Sequence, residues 1–370
     1  MLGRTVGRPN GREDDRRRGG AVAVPCGEYF TNYESRMGLF RWRIQRVALV
    51  VGLPIPFLLP FLIGGGTLST LSQMYIVAIA VLGLNVILGY AGEIVLAQGA
   101  FMAIGAYSTS RLVAAGAGLL PSLVVGGVMA ALVAVAFGLP SFRVKGFYIA
   151  ISTLALQFIS EWFFNNSRAD WIHGGAQQRL PSEVGLVGPF AEVGTDLHVY
   201  YIGLLAMLLF ALLSLNLSRT GIGRTFRAVH ENDLAAAVLG VNVFKNKLLA
   251  FAIGGFMIGV SGGLYGFYIG FISPEYFTLA LTLEHYVMLL FGGLGRVWGA
   301  LIGVGVVTFI QEFLRNVLQT VSAATGLNAT ALVSVFFGVI IIFVLAVEPK
   351  GVLAALGQLK EYLRKWPYAY

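Results

Sequence analysis

The sequence predicts an all-α, polytopic membrane protein with about ten transmembrane helices, some broken or short, and both termini in the cytoplasm. Three observations predict it. Hydrophobic residues make up 57% of the 370 residues and charged residues only 12%, with a mean hydropathy of +0.77; a soluble chain would carry about 25% charged residues. Apolar runs recur along most of the length. The basic residues fall in alternate gaps between those runs, as expected when Lys and Arg are retained on the cytoplasmic side.

Residues 1–46 form a basic arm with no apolar run near its start, so no cleavable signal peptide is expected. Its first 23 residues read as unfolded sequence, or as lying ahead of the true start. The following stretch carries Tyr29, Phe30, Tyr33, Phe40 and Trp42, which suit a headgroup surface. The membrane domain spans 47–347, with apolar runs at 47–63, 71–90, 94–115, 119–139, 147–164, 199–217, 248–272, 279–294, 297–313 and 329–347. Each approaches the roughly 20 residues a helix needs to cross hydrocarbon, although 279–294 is short. A basic cytoplasmic tail, 348–370, closes the chain.

Ten crossings put both termini on one side. With that topology 22 of the 26 Lys and Arg lie in cytoplasmic segments, and only Arg111, Arg168, Arg179 and Arg315 lie opposite. The pI near 9.6 is then a consequence of membrane topology, and no nucleic-acid partner is implied. The longest external segment, 165–198, is polar and rich in Gly and Pro; a loop of this length is a candidate contact for something outside the cell.

Several chemistries are not supported. Cys26 is the one cysteine, and His173, His198, His230 and His285 show no ligand spacing, so neither a disulfide within the chain nor a metal site is expected. No Gly-Lys dipeptide occurs, so a phosphate-binding P-loop is lacking. No cofactor and no catalysis are expected of this chain.

Two regions invite a functional reading. The polar loop 218–247 carries Arg219, Arg224, Arg227, Lys245 and Lys247 against Glu231 and Asp233, which places it in the cytoplasm. Asp233 can start a short helix through Leu239, and Gly240 can stop it. Such a helix, with charge at one end and Ala235 and Ala236 in its middle, is suited to docking. Within the spans, glycine is abundant, which serves close helix packing. The sequence breaks at Gly89-Tyr90-Ala91-Gly92, and an apolar helix over 93–107 is interrupted at Gln98-Gly99. Asn85, Gln98 and Glu284 are polar groups in otherwise apolar runs and so candidate handles along a pathway. A structural hydrogen bond is the competing reading for Glu284.

The stretches LGLNVILGYAGEIVLAQGAFMAIGAY (82–107), GRTFRAVHENDLAAAVLGV (223–241), LLAFAIGGFMIGVSGGLY (248–265) and GFISPEYFTLALTLEHYVMLLFGGLGRVWGALIG (270–303) together resemble the LivM-type permease of bacterial branched-chain amino-acid ABC transporters. The resemblance implies a multi-pass subunit in the bacterial cytoplasmic (inner) membrane. It implies a second related permease subunit, two ATP-binding subunits docked on cytoplasmic loops, and an external substrate-binding protein. It also implies a Glu-Ala-Ala, three residues, Gly signature on the coupling helix. Ala235, Ala236 and Gly240 take its small positions and Leu234 stands at the acid, with Glu231 and Asp233 close enough to supply charge. The expected function is to pass Leu, Ile and Val, with Asn85, Gln98, Gly99 and Glu284 along the path. Urea or short amides are the alternative cargo, and a self-sufficient secondary transporter is the alternative mechanism.

Overall fold

The computed structural model describes residues 54–62, 65–142, 148–166, 174–180, 184–187, 190–193, 196–325 and 338. The basic arm with Cys26, the tail, and nearly all of the run 329–347 lie outside the described residues, as does the part of 47–63 before residue 54. The helices are α1 (Pro54–Leu62), α2 (Gly65–Leu84), α3 (Gln98–Ala114), α4 (Leu119–Ser141), α5 (Tyr148–Asn165), α6 (Asp196–Leu217), α7 (Gly221–Glu231), α8 (Asp233–Val238), α9 (Val243–Ile269), α10 (Leu279–Gly292) and α11 (Val297–Thr325). A π-helical turn, Asn85–Tyr90, continues α2, and a 3-10 turn, Pro274–Tyr276, precedes α10.

Among the described residues five helical stretches are long and apolar enough to cross a membrane: Gly66–Tyr90, Leu119–Ser141, Leu197–Leu217, Val243–Ile269 and Val297–Leu318. Their faces divide as a bilayer requires. Val124, Val128 and Leu132 on α4, Leu205, Leu209 and Leu212 on α6, and Phe309 and Phe313 on α11 are exposed at helical spacing and form apolar outer faces. Residues 76–87 are all buried, so this stretch is central.

The hub is α9, which packs on α2, α3 and α4. Hydrophobic burial does not drive helices together in lipid, so close backbone contact between small residues must do it. A Cβ on Gly105 of α3 would overlap the backbone of Gly259 on α9. A Cβ on Gly83 of α2 would stand 2.8 Å from the Gly254 carbonyl oxygen of α9. Helix α9 begins at Val243, earlier than the apolar run at 248, because Asn242 accepts a hydrogen bond from the Lys245 amide and caps it. Lys245 and Lys247 therefore sit on its first turns.

The segment 165–198 is expected to be a loop. Its described part contributes three short strands: β1 (Gln178–Arg179) runs antiparallel to β4 (Phe271–Ile272) outside the segment, and β2 (Val184–Val187) pairs with β3 (Phe190–Val193). The first pair ties this segment to the chain between α9 and α10.

Candidate functional site: a junction of two helix starts and the basic loop

The expected helix over 93–107 is not continuous. Residues 92–97 are non-helical, and α3 starts at Gln98. The break follows the π turn, whose widened ladder is prolonged by the bond from the Glu93 amide to the Ile87 carbonyl, 3.1 Å. Gly92, at φ +77°, supplies the left-handed residue at the corner.

A non-helical segment inside a bundle must find partners for its peptide groups. Side chains from distant helices supply them. The Tyr286 hydroxyl accepts from the Val95 amide at 2.7 Å and donates to the Val95 carbonyl at 2.8 Å. Thr153 Oγ1 accepts from the Leu96 amide at 3.0 Å. The free amides at the start of α3 are capped the same way, since Ala97 contributes no side-chain bond. Thr282 Oγ1 accepts from the Gly99 amide at 3.0 Å, and Gln157 Oε1 from the Ala100 amide at 2.8 Å. Gln157 Nε2 also donates to the Phe277 carbonyl, 2.7 Å, and to Glu161 Oε1, 2.9 Å. The start of α3 thus abuts the start of α10. Gly99 permits the approach: a Cβ there would lie 2.7 Å from the Phe277 carbonyl oxygen and 3.0 Å from that of Thr278.

Gln98 and His285 meet at this junction, Nε2 to Nδ1 at 2.9 Å. Both are essentially fully buried, and Gln98 Oε1 and His285 Nε2 have no hydrogen-bond partner. With the amide donating, His285 is neutral with its proton on Nε2; the pair then retains one donor, His285 Nε2–H, and one acceptor, Gln98 Oε1. Flipping the amide and the tautomer exchanges the roles and still leaves one of each.

The second feature is the basic loop. Thr220 caps α7 and Asn232 caps α8, its Oδ1 accepting from the Ala235 amide at 3.0 Å. Helix α8 therefore starts at Asp233 as expected, with Asn232 as its cap. The helix ends as expected at Gly240, φ +84°. The Val241 amide bonds the Ala236 carbonyl and the Gly240 amide that of Ala237, closing the turn. Arg227 donates to the carbonyls of Gly223 and Ser218, strapping the turn between α6 and α7. The expected small face is split. Ala235 is exposed, but Ala236 is 2% exposed and packed within this chain. What α8 offers outward is Leu234, Val238 and Leu239, at 69%, 88% and 82% exposure. Glu231 is exposed beside them.

Over residues 66–345 the chain matches the family described as branched-chain amino acid transport system, permease component. It belongs to that family. It is 32% identical over 295 residues to the high-affinity branched-chain amino acid transport permease LivM of Escherichia coli K12, covering 74% of this chain and 69% of that one. The LivM protein of Salmonella typhimurium is 29% identical over 293 residues, with the same coverage. LivH of Escherichia coli K12 is 28% identical over 300 residues, 77% of this chain and 92% of its own. No solved structure is significantly similar.

The expected pathway residues of this LivM-type chain separate in space. Gln98 and Gly99 lie at the junction. Glu284 does not: its Oε1 accepts from Gln311 Nε2 of α11 at 2.7 Å, in a cleft of about 40 Å³ shared with Thr70, Gln73, Glu312 and Arg315. Asn85 accepts from the Gly295 amide at 2.9 Å and so fastens the π turn to the link between α10 and α11, with its Nδ2 unpartnered. The junction residues that the sequence does not single out as pathway candidates are His285, Thr282, Gln157, Thr153 and Tyr286. A usable signal existed for three of them: Thr282, His285 and Tyr286 fall at i, i+3 and i+4 on one helix, and so on one side of it.

Proposed function

We propose that this chain is the LivM-type permease subunit of an ATP-driven importer, passing Leu, Ile and Val across the bacterial cytoplasmic membrane, with the Gln98–His285 junction as the gate of its pathway. The observation that carries the gate is the pair of unspent polar atoms. A buried donor or acceptor without a partner costs about 1–3 kcal/mol, and here two stand where two helix starts meet. When the helix starts part, a donor suits a carboxylate and an acceptor suits an ammonium, the two ends of an amino-acid zwitterion. The same pair also suits urea or a short amide, which remains the second reading of the cargo. Family membership and the LivM and LivH relatives support the branched-chain reading.

The remaining assignments follow from that reading. Ten spans with cytoplasmic termini agree with the distribution of basic residues. ATP-binding subunits dock on the outward apolar face of α8, a second related permease completes the pathway, and an external binding protein delivers substrate near 165–198. The test is the double variant Gln98→Leu/His285→Leu in the assembled transporter. Removing both partners together strands nothing, so abundance and melting temperature should hold or rise while leucine uptake is lost. Unchanged uptake would contradict the gate.

A further inference from the structure

Lys247 plays no part in the gate, yet its position links the gate to the basic loop. Its Nζ lies 2.6 Å from Glu93 Oε1 and 2.6 Å from Asp233 Oδ2. Asp233 opens α8, and Glu93 lies at the start of the non-helical segment that ends at Gln98. The Lys247 and Glu93 side chains are only 14% and 11% exposed, against 48% for Asp233. The Lys247–Glu93 contact is thus sheltered from water and salt, and the Asp233 contact is the softer one.

A second contact runs in parallel. A Cβ on Gly92 would stand 2.6 Å from His230 Cδ2, so the last turn of α7 rests against the corner from which the segment departs. Beyond Glu93 the chain is non-helical to Gln98. Only residues 93–97 separate the corner from α3, so the link is short and has little slack to absorb a displacement. Its amides are held by Tyr286 of α10 and Thr153 of α5. A movement of α8 relative to the bundle is therefore delivered to the junction and not lost in a loop.

We propose that Lys247 is a positioning residue for transport: an ionic tether that makes residues 92–97 follow α8, so that motion of an ATP-binding partner opens and closes the Gln98–His285 junction. This rests on the reading of α8 as the docking helix. The test uses the complete transporter in proteoliposomes, recording ATP hydrolysis, leucine uptake and their ratio for Lys247→Met, Lys247→Arg and Glu93→Gln. Lys247→Met should keep the ATP-binding subunits and their hydrolysis. The ATP consumed per leucine should rise about tenfold, as for the loss of one charge-assisted hydrogen bond. Lys247→Arg, which keeps the cation, should restore most of the coupling. Glu93→Gln should uncouple in the same direction, and combining it with Lys247→Met should add little, because both remove one link.

A merely structural role predicts something different: hydrolysis and uptake would fall together, with their ratio unchanged, and that outcome overturns the tether. Should Lys247→Met fail to assemble, Glu93→Gln decides alone by the same ratio. Failure of the unsubstituted permease to bind ATP-binding subunits would overturn the docking reading and the tether together. A coupled wild type with a normally coupled Lys247→Met would overturn the tether alone.

Discussion

The outward face of α8 allows a quantitative prediction. Val238 and Leu239 are 88% and 82% exposed at the end of the basic loop, well outside the apolar runs. Full burial of a Val or Leu side chain is worth about 1.5–3 kcal/mol. Association realises only part of that value, because ordering and desolvation offset it. Replacing both by Asp should then weaken binding of the ATP-binding subunits by about 1.5–3 kcal/mol, or roughly 10- to 100-fold in Kd. The permease should still insert, since neither side chain packs in the bundle. Ala235→Arg, also at an exposed position, should behave similarly but more mildly. Ala236→Arg should differ in kind: at 2% exposure it forces a charge into the interior of the chain, lowering abundance and melting temperature before any docking is measured. The assay is titration of the ATP-binding subunits onto permease in nanodiscs. Unaltered affinity of Val238→Asp/Leu239→Asp would refute the assignment of this face.

Other expectations concern the packing and the topology. Gly99→Val should push the start of α3 away from the Phe277 and Thr278 carbonyls, and uptake should fall sharply in a protein that still inserts; normal uptake would count against a tight junction. Gly105→Leu should separate α3 from α9, an overpacking effect of at least about 1–3 kcal/mol, read as a lower melting temperature or loss of folded protein in detergent. Cysteine introduced at Arg224 in a Cys26→Ser background should be labelled only from the cytoplasm, and at Arg179 only from outside; external labelling at 224 would overturn the topology.

The apolar runs were legible because composition alone reports them: α4, α6 and α9 fall on 119–139, 199–217 and 248–272 with shifts of a few residues, mostly where caps such as Asn242 extend them. The break after Gly92 was legible from its glycines, but its extent was not. Ile94, Val95, Leu96 and Ala97 read as more helix. What keeps them out of a helix is hydrogen bonding with Tyr286 and Thr153, 191 and 57 residues away, and tertiary partners of this kind override local propensity. Glu284 lies apart from Gln98 for a related reason. A carboxylate stands out in an apolar run, but neighbouring residues on a helix point about 100° apart. Glu284 accordingly reaches α11 while His285 reaches Gln98. Ala235 and Ala236 differ in the same way. Two adjacent alanines carry no phase, and only the packing of α8 on its own chain buries one and exposes the other.

A permease that passes branched-chain amino acids when driven by ATP-binding partners should show both properties in a reconstituted system. The most direct measurement is uptake of labelled leucine, urea and ribose into proteoliposomes holding the complete transporter and its binding protein, with and without ATP inside the compartment corresponding to the cytoplasm. Leucine accumulation should require ATP, be competed by isoleucine and valine, and have no counterpart for urea or ribose. ATP-dependent uptake of urea without leucine, or leucine accumulation by the permease alone without ATP, would contradict that function.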